Sequence, residues 1–506
     1  MNPALSKSRG ALFSRKSGVK PFVVKSVPHL KGIVTLSGDK SIAHRSIIIS
    51  ALSFAKTRIE NFPTNKDCLS TLNVFKKLGV KITPKPLAAY RENSITVFVD
   101  GKGLDGLVKP NRPIFVGESG TTLRLILGVL AGQEFETRLT AGKSLSQRPM
   151  LRVNRPLRMM GAIIKSKIST TKSATMRGGL ANYYGERGGF ANNYGEKMQK
   201  LKIEEYPPIT IRGRRLKPIT YKLPVPSAQV KSAILLAALF TQGETKVIEP
   251  IPTRDHTERM LKLFKADIRV KRVKGQNIII IKGRKELKSP GRIYIPADIS
   301  SASFFIVAAT LVRGSVLLIK NVCLNPSRIG IIRVLKRMGA DIRITDYPCL
   351  PARQGLPITD YEPMGDILVK NNPLKGTMVT RKEIPSLIDE LPVLMVAASL
   401  AKGKTIIKGV EELRVKETDR IRSMAKNLRK MRAKIIVSKA GNRENLIIEG
   451  IKQIKGAKIK SFGDHRTAMS MLIAGLVASG TTRIDSISCI NKSFPNFLDV
   501  LGTLTH

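Results

Sequence analysis

The chain repeats itself. Six times an Ala-rich apolar stretch, long enough for a three-turn helix, is followed by a break that usually carries Gly and then by a short β-branched run. The copies read SIIISALSFAKTRIENF (46–62), TTLRLILGVLAGQEFETRLT (121–140), VKSAILLAALFTQGETKVIE, SASFFIVAATLVRGSVLLIKNV, LPVLMVAASLAKGKTIIKGV and RTAMSMLIAGLVASGTTRIDSI. After each comes an amphipathic pattern with apolar residues three and four apart: TLNVFKKLGVKI, RPLRMMGAII, MLKLFKADIRV, IRVLKRMGADIRI, MAKNLRKMRAKIIV and FPNFLDVLGTL. Most close on Gly, as helix ends do. The two pieces alternate in strict order through 506 residues, too many for one ordinary domain. This predicts an α/β protein of six similar units, three to each of two lobes, with a boundary near residues 290–296. The expected division is a basic extension (1–19), one lobe from 20–36 plus 296–506, and another from 37–295.

Polar groups crowd the start of every Ala-rich helix: KSIAHR, GESGTT, VPSAQ, ADISS, PSLIDE and FGDHR. A helix N-terminus offers unpaired N–H groups and the positive end of the macrodipole, and so binds anions. If six such starts converge between two lobes, beside Lys40, Arg45, Arg124, Arg148 and Arg466, the cleft should hold a small molecule bearing several phosphates or carboxylates.

The formal net charge of +51 also favours anionic partners, without choosing among them. Tryptophan is absent and aromatics are 5%, which counts against base stacking and makes nucleic acid the weaker candidate. Cys68, Cys323, Cys349 and Cys489 form no CxxC pair, so neither a zinc site nor a disulfide framework is expected, and a reducing cytoplasm fits. No apolar run is long enough for a membrane helix. Residues 1–38 carry seven Lys or Arg and no acid, a bias shared by transit peptides and by the rest of this basic chain. One segment lies outside the repeat. GGLANYYGE (178–186) and GGFANNYGE (188–196) are a tandem duplication in what reads as a surface insertion near 167–201.

Eight segments, GDKSIAHR, ESGTTLR, SLSQRPM, PSAQVKSA, RDHTE, RVKETDRI, FGDHRTAM and NKSFPNF, resemble in order the signature segments of the 5-enolpyruvylshikimate-3-phosphate synthase family. The resemblance spans roughly residues 20–504 and implies the inside-out α/β barrel, two lobes of three βαβαββ units each. It implies transfer of the enolpyruvyl group of phosphoenolpyruvate to the 5-hydroxyl of shikimate 3-phosphate, with no metal or cofactor. By similarity, shikimate 3-phosphate is expected on Lys40, Ser41, Arg45, Ser227, the Ala228 backbone, Gln229 and Arg254, with Asp389 and Lys416 on its hydroxyls. Phosphoenolpyruvate is expected on Lys40, the Gly120 N–H, Arg148, Gln229, Arg420, Arg466 and Lys492. Asp389 is the expected base toward the hydroxyl, and Glu417 or Lys40 the group that moves the proton at carbon. A cytoplasmic monomer acting on these two substrates is expected.

Each residue has a plainer reading. Ser227, Ser300 and Asp464 also suit simple N-caps, Asp389 and Glu390 could cap a helix, and RVKETDR could be one salt-bridged helix surface. His465 fits a structural hydrogen bond better than a proton shuttle, and His44 fits either. There are departures from the family pattern as well: Glu118 where Asn is usual, Ala297 where Gly is usual, and NPSR at 325–328 in place of NxTR. Two alternatives stand beside the main reading, a catalytically dead nucleic-acid-binding relative and the sister enolpyruvyl transferase acting on UDP-N-acetylglucosamine.

Overall fold

A computed structural model of the protein describes residues 21–86, 94–172, 201–347, 361–441 and 443–505. The duplication at 178–196 and the extension at 1–19 lie outside the described residues. Among the described residues twelve α-helices run in chain order: α1 (Lys40–Ala51), α2 (Lys66–Lys77), α3 (Gly120–Leu130), α4 (Leu151–Met159), α5 (Ala228–Ala238) and α6 (His256–Leu263). They continue with α7 (Ile299–Leu311), α8 (Gly330–Arg337), α9 (Leu391–Leu400), α10 (Arg420–Lys430), α11 (His465–Val477) and α12 (Phe497–Gly502). The odd-numbered helices are the six Ala-rich segments and the even-numbered ones the six amphipathic segments.

Apolar residues surround each odd-numbered helix, so each is buried on every side. In α7 every residue from Ile299 to Thr310 is buried except Ser301. Their few polar side chains turn back onto the helix: Ser46 donates to the Ala43 carbonyl, Thr310 to Ile306 and Ser399 to Met395. Helices α1, α3 and α5 pack together in one apolar core, and α7, α9 and α11 in another. One core takes its residues from 22–36 and 297–504, the other from 42–295 with Cys323 and Tyr361.

Among the described residues six small sheets enclose the helices, five of four strands and one of three. In each four-stranded sheet a strand that follows an odd-numbered helix pairs antiparallel with one hairpin strand and parallel with a strand from elsewhere in the chain. Lys56–Pro63, for example, lies antiparallel to Ser94–Asp100 and parallel to Arg292–Tyr294. The sixth unit ends in a helix where the others have a hairpin, and its sheet is completed by Phe22–Val24.

The chain crosses between the cores twice, at adjacent places. Gly38 and Ala297 form an antiparallel bridge, with the Asp39 N–H donating to the Pro296 carbonyl (2.7 Å) and the Asp298 N–H to that of Ser37 (3.2 Å). Gly38 has no room for a side chain, because a Cβ there would lie 2.3 Å from the Asn61 carbonyl oxygen and 2.6 Å from Ile295. Ala297, its counterpart, is buried with a Cβ in place, so glycine is required on one strand only. Replacement of Gly38 by Ala forces the crossing strands apart and is expected to destabilise the protein by about 1–3 kcal/mol. A lowered thermal unfolding midpoint in calorimetry checks this.

Candidate active site

The helix starts carry the motif residues in their first turns. Three predicted groups therefore stand on the helix and not before it, Lys40 beginning α1, Gly120 beginning α3 and Ala228 beginning α5, and Arg420 begins the amphipathic α10. Asp39, Ser119, Ser227 and Asp464 cap their helices by accepting from the N–H groups of Ile42, Thr122, Val230 and both Arg466 and Thr467. Asp298, not Ser300, caps α7. Glu390 occupies the cap position of α9 without a side-chain cap bond. Lys416 and Glu417 are not on a helix surface, for they follow the 3-10 turn Glu411–Val415 and precede α10.

The two carboxylates predicted to carry the chemistry lie in a nest of arginines. Asp389 pairs with Arg254 (2.6 Å), Arg420 (3.3 Å) and Arg466 (3.7 Å), and its carbonyl accepts from Arg466 (3.0 Å). Glu417 pairs with Arg420 and with Arg148 (3.4 Å). Arg420 is buried and is oriented from behind by Asp464, 3.0 Å from its Nε. Three of these contacts join the two cores across the cleft: Arg254 to Asp389, Arg148 to Glu417, and Arg152 to Glu412 at 3.1 Å.

Lys40 pairs with Asp67 (2.9 Å), a residue in the first turn of α2. Gln229 accepts from Arg124 (2.6 Å) and donates to Thr121 (2.9 Å). The Gly120 backbone sits between two guanidinium groups, since a Cβ there would lie 3.3 Å from Nη1 of both Arg124 and Arg148. Lys416 is 3.7 Å from Glu412. Arg45 is buried and places three of its five N–H groups on Thr257 (2.6 Å), Ser232 (2.8 Å) and the Ser41 carbonyl (2.8 Å). Lys492 ends the turn Ser488–Lys492, which packs on α11 and reaches α2, and it is joined to none of these ion pairs. Asp67, Arg152, Glu412 and Asp464 complete the network. Sequence reasoning passed over the first three because isolated charges outside the helix-start motifs carry no spacing signal.

Burial would raise the Asp389 and Glu417 carboxyls, but the arginines overcome it. Arg466, Arg254 and Arg420 hold Asp389, and Arg420 and Arg148 hold Glu417, well below the usual carboxylate range. Lys40 is likewise held as an ammonium against burial by Asp67. Arg124, half-buried, is pushed down to about 9 by loss of solvent and by Arg152 and Arg148 beside it. Glu118 does not add charge to this site. Its carboxylate turns aside to accept from the Leu145 (2.7 Å) and Ser144 (3.3 Å) N–H groups.

The sequence profile of the EPSP synthase (3-phosphoshikimate 1-carboxyvinyltransferase) family matches residues 24–186 and 192–501. The chain belongs to the EPSP synthase family. The 3-phosphoshikimate 1-carboxyvinyltransferase of Petrotoga mobilis is 42% identical over 479 residues, 94% of this chain and 98% of its own. That of Pelotomaculum thermopropionicum is 44% identical over 474 residues, 94% of this chain and 96% of its own. Among solved structures, the EPSP synthase from Acinetobacter baumannii superimposes with a TM-score of 0.74 at 37% identity, covering 95% of this chain and 97% of that one. The enolpyruvyl transferase NikO from Streptomyces tendae shares the fold, with a TM-score of 0.65 at 16% identity. The family, the two-lobed fold and the transferase class read from the sequence are borne out.

Two histidines near the site are neutral. Burial pushes His465 down to about 4 and His44 down to about 3, with Asp464 and Asp67 respectively offsetting part of the effect. Unfolded histidine titrates near 6.5, so each contributes stability that is present above about pH 6.5 and lost as pH falls toward these lowered values. In an NMR titration their ring protons are expected to stay unshifted between pH 8 and pH 5. A midpoint near 6.5 for either would contradict the burial account.

Proposed function

We infer that the protein transfers the enolpyruvyl group of phosphoenolpyruvate to the 5-hydroxyl of shikimate 3-phosphate and releases phosphate, a step toward chorismate and the aromatic amino acids. One observation carries the assignment of residues. The arginines facing the cleft are neutralised by the protein's own carboxylates, in part across the two lobes, and an anionic substrate can take those arginines over.

In this reading shikimate 3-phosphate lies along the starts of α1 and α5, held by Lys40, Ser41, Arg45, Ser227, the Ala228 backbone, Gln229 and Arg254. Asp389 and Lys416 meet its hydroxyls. Phosphoenolpyruvate lies between the lobes, on Lys40, the Gly120 N–H, Arg148, Gln229, Arg420, Arg466 and Lys492. Guanidinium suits this work because its planar fork meets phosphate or carboxylate in paired hydrogen bonds.

Asp389, ionised by its arginines, takes the proton of the 5-hydroxyl as that oxygen attacks C2 of phosphoenolpyruvate. Lys40, an ammonium in the free protein, delivers a proton to the methylene carbon. Glu417, held ionised by Arg148 and Arg420 and made more basic as they turn to the substrate, takes a proton from the resulting methyl group as phosphate leaves. The surrounding cations stabilise that departing charge.

The two apolar cores support a division into lobes at residues 36/37 and 295/296. A single chain supplies every group of the site, as a monomeric enzyme requires. Cys68, Cys323 and Cys489 are free and buried, in keeping with a reducing cytoplasm, and no helix among the described residues is long and apolar enough to cross a membrane.

Phosphate release from phosphoenolpyruvate is expected to require shikimate 3-phosphate and to fall at least a hundredfold in Asp389→Ala. Unchanged turnover in a folded Asp389→Ala protein would remove Asp389 from the chemistry.

A further inference from the structure

We propose that Arg328 is a positioning residue that sets the lobes in register, so that Lys40 and Asp389 meet across the cleft. This rests on the site assignment above. Arg328 comes from the turn before α8 and is buried, with 1% exposure. Its Nη1 lies 2.9 Å from Asp39, and its Nη2 donates to Asp298 (3.2 Å) and to Ser300 Oγ (2.9 Å). One guanidinium thus holds the N-caps of α1 and α7, the first helices beyond the two chain crossings.

The neighbours of these contacts are the reacting groups. Asp39 directly precedes Lys40. Ser300 donates to Glu390, which directly follows Asp389 and lies 3.9 Å from Arg466. Arg328 therefore stands between the residue before one catalytic group and the residue after the other, each in a different lobe.

The turn carrying Arg328 is itself gripped from the opposite lobe. Asn325 Nδ2 donates to Asp255 (2.7 Å), and the Ser327 hydroxyl donates to Asn325 Oδ1 (2.6 Å), which holds that side chain in place. His256 meets Glu362 through Nδ1 (2.6 Å), and with that nitrogen donating, its Nε2 is left to accept from Arg328 (3.3 Å). The segment Arg254–His256 touches Asp389, Asn325 and Arg328 in turn, so RDHTE and NPSR form two halves of one latch. Serine at 327 supplies the same hydroxyl that threonine would, which accounts for that departure from NxTR.

A buried ion cluster of this kind is expensive and stabilises little compared with apolar packing, so positional specificity is its better explanation. Lysine cannot replace it. The planar fork of Arg328 presents Nη1 to Asp39 and Nη2 to Asp298 and Ser300 at fixed separation, a geometry that a single ammonium on a flexible stem does not hold.

The test is Arg328→Lys, with Lys40→Met as control. Shikimate 3-phosphate is held mainly by one lobe, so its Kd with the variant alone is expected within threefold of wild type. Phosphoenolpyruvate needs both lobes, so its Kd in the presence of shikimate 3-phosphate should rise at least tenfold, and kcat should fall at least tenfold. Small-angle scattering with both substrates should give a larger radius of gyration for the variant than for wild type. Asp298→Asn, which keeps a cap oxygen and removes one of the two charges, should move the same constants in the same direction by at least threefold and covers the case that Arg328→Lys does not fold. Constants and scattering equal to wild type, or equal weakening of both substrates, would overturn the proposal. Full turnover in Lys40→Met would instead overturn the site assignment, and the scattering comparison would still decide the role of Arg328.

Discussion

A helix that is apolar on every side has one place to go, the middle of a layer, and this protein has six of them. Burying their flanks leaves only their ends to meet solvent or ligand. The N-terminal ends cannot be left bare, because each presents N–H groups with no partner in the helix. Asp, Ser and Glu occupy the cap positions, and cations stand in or beside the first turns. The site is the consequence of packing these helices lengthwise: polar chemistry is confined to the one part of each helix that the core cannot absorb.

That arrangement concentrates positive charge, and a cluster of buried cations without counter-ions would not persist. The protein supplies its own. Asp67 holds Lys40, Asp389 is shared by Arg254, Arg420 and Arg466, and Glu417 by Arg148 and Arg420. The same carboxylates that neutralise the empty cleft are the ones proposed to move protons. Their arginines keep them ionised when no substrate is present, and an arriving phosphate or carboxylate competes for those arginines. Binding an anion and adjusting a carboxylate's basicity are then one event.

The order of the elements was legible because the repeat has its own period, and all twelve helices stand where the alternation predicts them. Their starts were less so. Lys40 was placed before its helix, since charge at a helix start looks like charge before one, and only the cap bond of Asp39 separates the cases. Arg148 and Arg466 were read from their place beside the helix starts, Asp389, Glu417, Arg254 and Arg420 through motif resemblance, and the structure brings them together. Asp67 and Arg328 were not singled out as functional: each acts on partners tens or hundreds of residues away in sequence. Gly38 was read as part of an anion-binding motif, yet its glycine is demanded by the close crossing of the chain beside Asn61 and Ile295.

The most direct measurement is a crystal structure with shikimate 3-phosphate and phosphoenolpyruvate, or an unreactive analogue of the latter, bound together. The account predicts shikimate 3-phosphate along the starts of α1 and α5 with its 5-hydroxyl on Asp389, and the second substrate's anionic groups on Arg148, Arg420 and Arg466, drawn away from Glu417. Substrates bound elsewhere, or a cleft in which Asp389 and Glu417 keep all their arginines with the ligands in place, would contradict it.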